Sequence, residues 1–196
     1  MQRTSGFTLV ELMVTIGVAA ILIGLAVPSF ENMVRDSYMT TAANDLLITM
    51  QLARSEAIKR HLPVTVCHSA NSYADPPSCG GDGWQDGWVA FVDGSDANPD
   101  PNGAIDAGEQ VLHSARGFKG HRVTATAADN SAPLAERLTF LESGYPQGEV
   151  PGGRNLVLCD DRHSDYSGRV LNISPTGRPQ VRKPTDYPLQ GLTCEE

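Results

Sequence analysis

The sequence predicts an α+β protein in which one long N-terminal helix is followed by a head domain of antiparallel β-sheet. Three observations carry that expectation. From Leu12 to Phe30 no side chain is charged, a run close to the ~20 residues a helix needs to cross a bilayer core. Between Met39 and Ala57 apolar residues then recur in steps of four and three, the spacing of one helical face. After Pro63 the period drops to two, in short runs separated by Gly, Pro, Asn, Asp and Ser, which reads as strands and turns. A helix first and strands after it argue for segregated layers.

The apolar run begins at Phe7 and holds a single carboxylate, Glu11. An ionisable side chain at the edge of a membrane segment is costly to bury and therefore points to function. Pro28 is expected to kink the helix, because it removes one backbone hydrogen bond. Beyond it, Met39, Ala43, Leu46, Met50, Ala53 and Ala57 share one face, and Asp36, Thr40, Asn44 and Gln51 fall elsewhere. Lys59, Arg60 and His61 suit a helix C-terminus, and Pro63 stops it. The expected helix thus has a membrane half over 7–30 and an amphipathic half over 31–62, packed on a head formed by 63–196. In the head, strands are expected at 64–68, 87–93, 111–114, 122–126, 137–141, 156–159, 169–174 and 178–182. The stretches 71–84 and 93–109 read as long loops. No internal repeat or second domain boundary is visible.

The start of the chain has a specific wording. A short polar leader carries Arg3; then come Gly6, Phe7, three uncharged residues, Glu11 and the apolar helix. This resembles the class III signal of type IV pilins and type II secretion pseudopilins. The resemblance implies that a prepilin peptidase cuts between Gly6 and Phe7 and methylates the new amino group of Phe7. Residues 1–6 are then a processing segment, outside any fold argument. Arg3 and the initial amine keep that side in the cytoplasm, so the head is expected in the periplasm, beyond the inner membrane. In pilins the residue matching Glu11 is thought to pair with the amino terminus of a neighbouring subunit. A carboxylate in lipid needs such a partner, since an uncompensated charge there costs several kcal/mol.

The net charge of −8 is local in origin. From Ala70 to Gln110 lie Asp75, Asp82, Asp86, Asp93, Asp96, Asp100, Asp106 and Glu109, with no Lys or Arg. Cys67, Cys79, Cys159 and Cys194 fall in the part expected to be periplasmic, where disulfides persist. Four cysteines allow three connectivities, and sequence alone does not choose among them. Cys67–Cys79 with Cys159–Cys194 is favoured because each closes a loop rich in Gly, Pro and Ser without crossing the other. A zinc site is disfavoured: no C-x-x-C occurs, and His61, His68, His113, His121 and His163 are scattered.

Later stretches narrow the resemblance. Leu52-Ala53-Arg54-Ser55-Glu56-Ala57-Ile58-Lys59-Arg60 and Pro63-Val64-Thr65-Val66-Cys67 are similar to the GspH/FimT family of minor pilins and pseudopilins. So are Gly87-Trp88-Val89-Ala90-Phe91-Val92-Asp93, Glu109-Gln110-Val111-Leu112 and Ile173-Ser174-Pro175-Thr176-Gly177-Arg178. The family implies a low-abundance subunit near a filament tip that helps initiate assembly. Its expected partners are other pilins or pseudopilins, the prepilin peptidase and the inner-membrane assembly platform.

Two head segments invite a ligand. In the acidic loop, Asn98, Asp100, Asn102, Asp106 and Glu109 occupy the oxygen-ligand places of an EF-hand, with Gly103 sixth and Ile105 eighth. This makes a structural calcium ion a candidate cofactor. Asn stands at the first place, Pro99 and Pro101 interrupt the loop, and strands flank it where an EF-hand has helices. The plainer reading is a turn-rich loop whose Asp, Asn and Gly serve the backbone. The second segment is basic: Arg169, Arg178, Arg182 and Lys183 stand against Asp186 between Tyr166 and Pro188. Some DNA-uptake members of the family carry a C-terminal Gly-Arg-x-Arg motif implicated in DNA binding. Here Gly177-Arg178 is followed by Pro179-Gln180-Val181-Arg182-Lys183, with the second basic residue displaced. Such residues would give sequence-independent contacts to double-stranded DNA, whereas base stacking has only Tyr166 and Tyr187 to draw on. Enzyme readings are weak. His163, Ser164 and Asp165 are neighbours in sequence without a G-x-S-x-G elbow, the glycine-rich spots lack a P-loop lysine, and Asp160-Asp161 reads as a strand-end turn.

Overall fold

The structure is a computed structural model of the chain and describes residues 7–95, 100–118, 123–127, 136–148, 153–162, 167–186 and 194. One helix, α1 (Leu9–Arg60), precedes eight strands: β1 (Val64–His68), β2 (Gly87–Val92), β3 (Val111–Arg116), β4 (Val123–Ala127), β5 (Arg137–Phe140), β6 (Arg154–Asp160), β7 (Arg169–Ile173) and β8 (Pro179–Arg182). The chain forms two compact units, Met1–Ser37 and Tyr38–Glu196. Met39, the first fully buried core side chain, lies just inside the second.

In the first unit, the helix is long and apolar enough to cross a membrane, and none of that stretch is buried inside the protein. Leu12, Met13, Val14, Ile16, Val18, Ile21, Leu22, Ile23 and Leu25 are all exposed. A helix apolar all round finds its stable surroundings in lipid or among other helices.

In the second unit, the spacing of four and three does what helical geometry requires. Met39, Ala43, Leu46, Met50, Ala53 and Ala57 are each 0% exposed. They share one core with Val64, Val66, Trp88, Ala90, Leu138 and Phe140 and with Leu156, Leu158, Leu171 and Ile173. Those two groups come from two separate four-stranded antiparallel sheets, ordered β3-β2-β1-β5 and β4-β6-β7-β8. In the first sheet Thr65 lies opposite Phe91 on one side and Thr139 on the other; in the second, Leu156 lies opposite Leu171. Alternation in sequence reveals strands but not their partners, which is why a division into two sheets is absent from the pattern. Strand ends shift by one to two residues where a turn or a buried polar side chain takes over, as at Asp93 after β2 and Arg154 opening β6.

One polar residue interrupts the apolar face. Thr49 is fully buried; its hydroxyl donates to the Asp45 carbonyl at 2.9 Å and accepts the indole N–H of Trp88 at 2.9 Å. The indole thereby keeps its donor satisfied in the core, as a buried tryptophan requires. Leu46 is expected to be a sensitive position on this face. Leu46→Ala leaves a cavity between the helix and the sheets, and unfolding stability falls by about 2–5 kcal/mol. Urea titration read by the fluorescence of Trp84 and Trp88, both buried, measures the loss; an unchanged midpoint would refute this packing.

Candidate functional site

At the N-terminus, Phe7 is 75% exposed and Glu11 sits in the first helical turn. The Thr8 hydroxyl accepts the Glu11 backbone N–H at 3.2 Å, and the Thr8 carbonyl accepts that of Leu12 at 3.1 Å. Thr8 is therefore the helix N-cap: its hydroxyl satisfies one of the amides that a helix start leaves orphaned, and its carbonyl accepts the first intrahelical bond. The signal was present in the sequence as Thr-x-x-Glu before an apolar run. A carboxylate in the first turn is also favoured by the helix dipole. Gly6 lies outside the described residues, and the helix backbone runs through Pro28.

The acidic loop is organised by a residue without a sequence-derived role, Asp93, which is 0% exposed. Its Oδ1 accepts the Asn102 amide at 2.9 Å, and its Oδ2 accepts the Gly103 amide at 2.9 Å. The Thr65 hydroxyl donates to Oδ2 at 2.5 Å and lies 2.6 Å from that of Thr139. Glu109 accepts the amides of Gly94 at 2.8 Å and Asp106 at 2.9 Å, and Asp106 accepts the Asn102 side-chain amide at 2.7 Å. Gly103 has φ of +76°, and a Cβ there would meet the Arg137 guanidinium at 2.4 Å. Turn geometry and close approach thus account for this glycine. Of the calcium candidates, Asn98 lies outside the described residues. Asp106 and Glu109 direct oxygens at amides, and Asp100 is exposed. No group of three or more His, Cys, Asp or Glu suited to a metal ion occurs among the described residues.

Disulfides join Cys67 to Cys79, with Cα atoms 5.6 Å apart, and Cys159 to Cys194, 5.5 Å apart. The first pins the 69–84 loop against the outer face of the first sheet, where Cys67 packs with Val89 and Phe91. The second ties Cys194 to the second sheet, beside Val157 and Val170.

Arg54, on the half-buried flank of α1, joins both sheets to the helix. Its Nε donates to the Gly144 carbonyl at 3.0 Å, and Nη2 to the Thr176 carbonyl at 3.2 Å. The first acceptor is in the turn after β5, the second in the turn between β7 and β8. The turns touch: a Cβ on Gly177, whose φ is +79°, would lie 2.1 Å from the Gly144 carbonyl oxygen. At the end of α1, Arg60 donates to Glu56 at 2.6 Å and to the Gln110 side chain at 2.6 Å. The hydrogen bonds from Arg60 and Lys59 hold the Glu56 carboxyl below its ordinary pKa.

The basic stretch divides. Arg169 donates to the carbonyls of Ser167 and Gly168 and to Thr40 of α1. Arg178, Arg182 and Lys183 are exposed, at and around the edge strand β8, and Arg182 donates to Gln180 at 2.8 Å. Tyr166 and Tyr187, with His163, Ser164 and Asp165, lie outside the described residues. Asp160 closes β6 as a turn. It accepts the Arg162 backbone N–H at 3.1 Å, the Arg162 Nε at 2.6 Å and the Ser167 hydroxyl at 3.0 Å.

Comparison with known proteins decides the family. The family model described as type II transport protein GspH matches residues 42–177, and the prokaryotic N-terminal methylation motif matches residues 1–27. The chain belongs to the GspH family. The fold is similar to that of the type IV minor pilin FimU of Pseudomonas aeruginosa (strain PAO1) in two crystal forms. The first has a TM-score of 0.55 and 24% identity, covering 79% of this chain and 94% of that one. The second has a TM-score of 0.53 and 24% identity, covering 78% and 98%. No curated protein sequence matches significantly. Members of the GspH family are structural pilins, and the apolar N-terminal helix is their membrane anchor. The matched region includes Arg54, Trp88, Asp93, Glu109 and Gly177, whose bonds and contacts hold the head together.

Asp160 generates a pH prediction. Burial pushes its carboxyl up, but hydrogen bonds from Arg162 and Ser167 outweigh that and hold it below the ordinary value of 3.8. A depressed folded pKa gives stability that is present above the unfolded value and lost as pH falls through the folded one. Asp160→Asn is expected to lower stability at pH 7 and to flatten the loss on acidification below about pH 4. Urea midpoints for both proteins between pH 7 and pH 2.5 test this; parallel curves would contradict it.

Proposed function

We propose that the chain is a minor pilin-like subunit that helps initiate assembly of a type IV pilus or type II secretion pseudopilus and sits near its tip. The observation that carries this reading is the uncovered apolar helix beginning at Phe7 with Glu11 in its first turn. Such a helix is held in the inner membrane before assembly and among the helices of sister subunits afterwards, with the head on the periplasmic side. Prepilin peptidase cuts between Gly6 and Phe7, and the amine of Phe7 is methylated. Glu11 pairs with the amine of a neighbouring subunit, which compensates its charge away from water. FimU, itself described as a minor pilin, supports the choice of a minor over a repeating subunit. The reading calls on no cofactor: Glu109 accepts backbone amides and Asp106 the Asn102 side-chain amide, the turn-supporting roles of a loop that needs no calcium to explain its acids. Capture of double-stranded DNA by Arg178, Arg182 and Lys183 is the alternative, and no specific observation in the head favours it.

Mass spectrometry of the protein from its native membrane is expected to show loss of residues 1–6 and a methyl group on Phe7. An intact leader would refute the processing step. Glu11→Ala is expected to insert in the membrane normally but to be lost from sheared filaments or from crosslinks to sister subunits. Wild-type incorporation would remove Glu11 from the assembly mechanism.

A further inference from the structure

We propose that the groove between α1 and β3 is a binding site for a neutral saccharide, with Tyr73 as its stacking surface. The groove has a volume of about 370 Å³ and is lined by Asp45 and Ile48 of α1, by Tyr73, and by His113, Ser114 and Arg116 of β3. All of these residues lie in the second compact unit. Three observations select the ligand.

The first is an aromatic ring that is held in place and left open. The loop after β1 is fastened to β3 by two side chains. The Ser72 hydroxyl donates to the Ala115 carbonyl at 2.9 Å, and the Tyr73 hydroxyl donates to that of Ser114 at 3.1 Å. Ser72 does this while buried, whereas Tyr73 stays 63% exposed. Engaging a carbonyl needs only a hydroxyl, so the open ring is surplus to that task. The Arg116 guanidinium carbon lies 5.2 Å from the ring centroid, a cation–π contact that steadies the ring. Ile48, 59% exposed, adds apolar surface to the same groove.

The second is charge. Asp45 and Arg116 are both exposed and of opposite sign. A phosphodiester chain is drawn to a surface of net positive charge, and an acyl chain to walls without charge. Hydroxyls are served by both groups: a carboxylate accepts from them and a guanidinium donates to them, while His113 adds ring nitrogens. The third is a covered edge. β3 ends its sheet, but the carbonyls of Ser114 and Ala115 already accept side chains of the loop, which obstructs the addition of an extended peptide. The ligand that fits all three is a pyranose, with a C–H face for the Tyr73 ring and hydroxyls for the polar groups around it.

The test is calorimetric titration of the full-length protein in a detergent without a sugar headgroup. The probes are maltotetraose, cellotetraose and N-acetylated chitotetraose. At least one is expected to bind, with Tyr73→Ala lowering its affinity about tenfold and Tyr73→Phe changing it less than about twofold. Asp45→Asn and Arg116→Gln, both at exposed positions, are each expected to weaken binding about fivefold. Urea midpoints read by Trp84 and Trp88 check that each variant head is folded; if Tyr73→Ala unfolds it, the other two substitutions decide. No binding of any of the three sugars would overturn the proposal, and so would binding that the folded variants leave unchanged. Tighter binding of a heparin fragment or a DNA duplex, weakened by the same substitutions, would also overturn it by placing an anion in the groove.

Discussion

The burial of one helical face, Met39 to Ala57, is the constraint on which the head depends. Both sheets have an apolar face, and each covers it against the same side chains of α1. Neither four-stranded sheet can hide that face from water alone. Because the face is made largely of Ala and Met, the sheets approach the helix closely at the alanines, while the flexible methionines fill the remaining gaps. The hydrogen bond from Trp88 to Thr49 adds direction to an otherwise non-directional contact.

Polar interactions then fix what burial leaves loose. Arg54 holds a turn from each sheet, and those turns meet at Gly144 and Gly177. Asp93 holds the start and middle of the acidic loop to β1 through Thr65 and two amides. These buried or half-buried polar groups have defined partners, as low-dielectric surroundings demand. The result is that long, turn-rich loops are anchored by a few carboxylate and guanidinium groups rather than by regular structure.

How much of this was legible in the sequence depends on the range of the interaction. The α1 face followed from spacing, because helical periodicity is local; β1 fell at 64–68 as its alternation and flanking Pro63 implied. The leader motif was legible because it is a contiguous string. The two-sheet division was not, because β1 finds β5 across more than sixty intervening residues while β4 joins β6 instead. Asp93 read as one acid among eight, since burial and not residue type separates it from Asp100. Gly103 read as the glycine of a metal loop, and its close approach to Arg137 becomes visible only in three dimensions. Thr8 is a different case: its capping pattern was local and readable, but the adjacent Glu11 drew attention to charge and away from the backbone.

The placement of charge connects the head to the helix that carries it. An apolar helix of this length associates with any similar helix or with lipid, so its packing alone says little about which subunit follows which. The discriminating information must reside where surfaces differ, and this head separates its charges: acids on the loops around β2, exposed cations at β8. Each region is dominated by one sign, although Asp186 follows the cations and the Arg137 guanidinium lies against Gly103 in the acidic loop. The uniform apolar surface of the helix is a source of affinity, and the divided surface of the head is the part of the chain on which selectivity can be built.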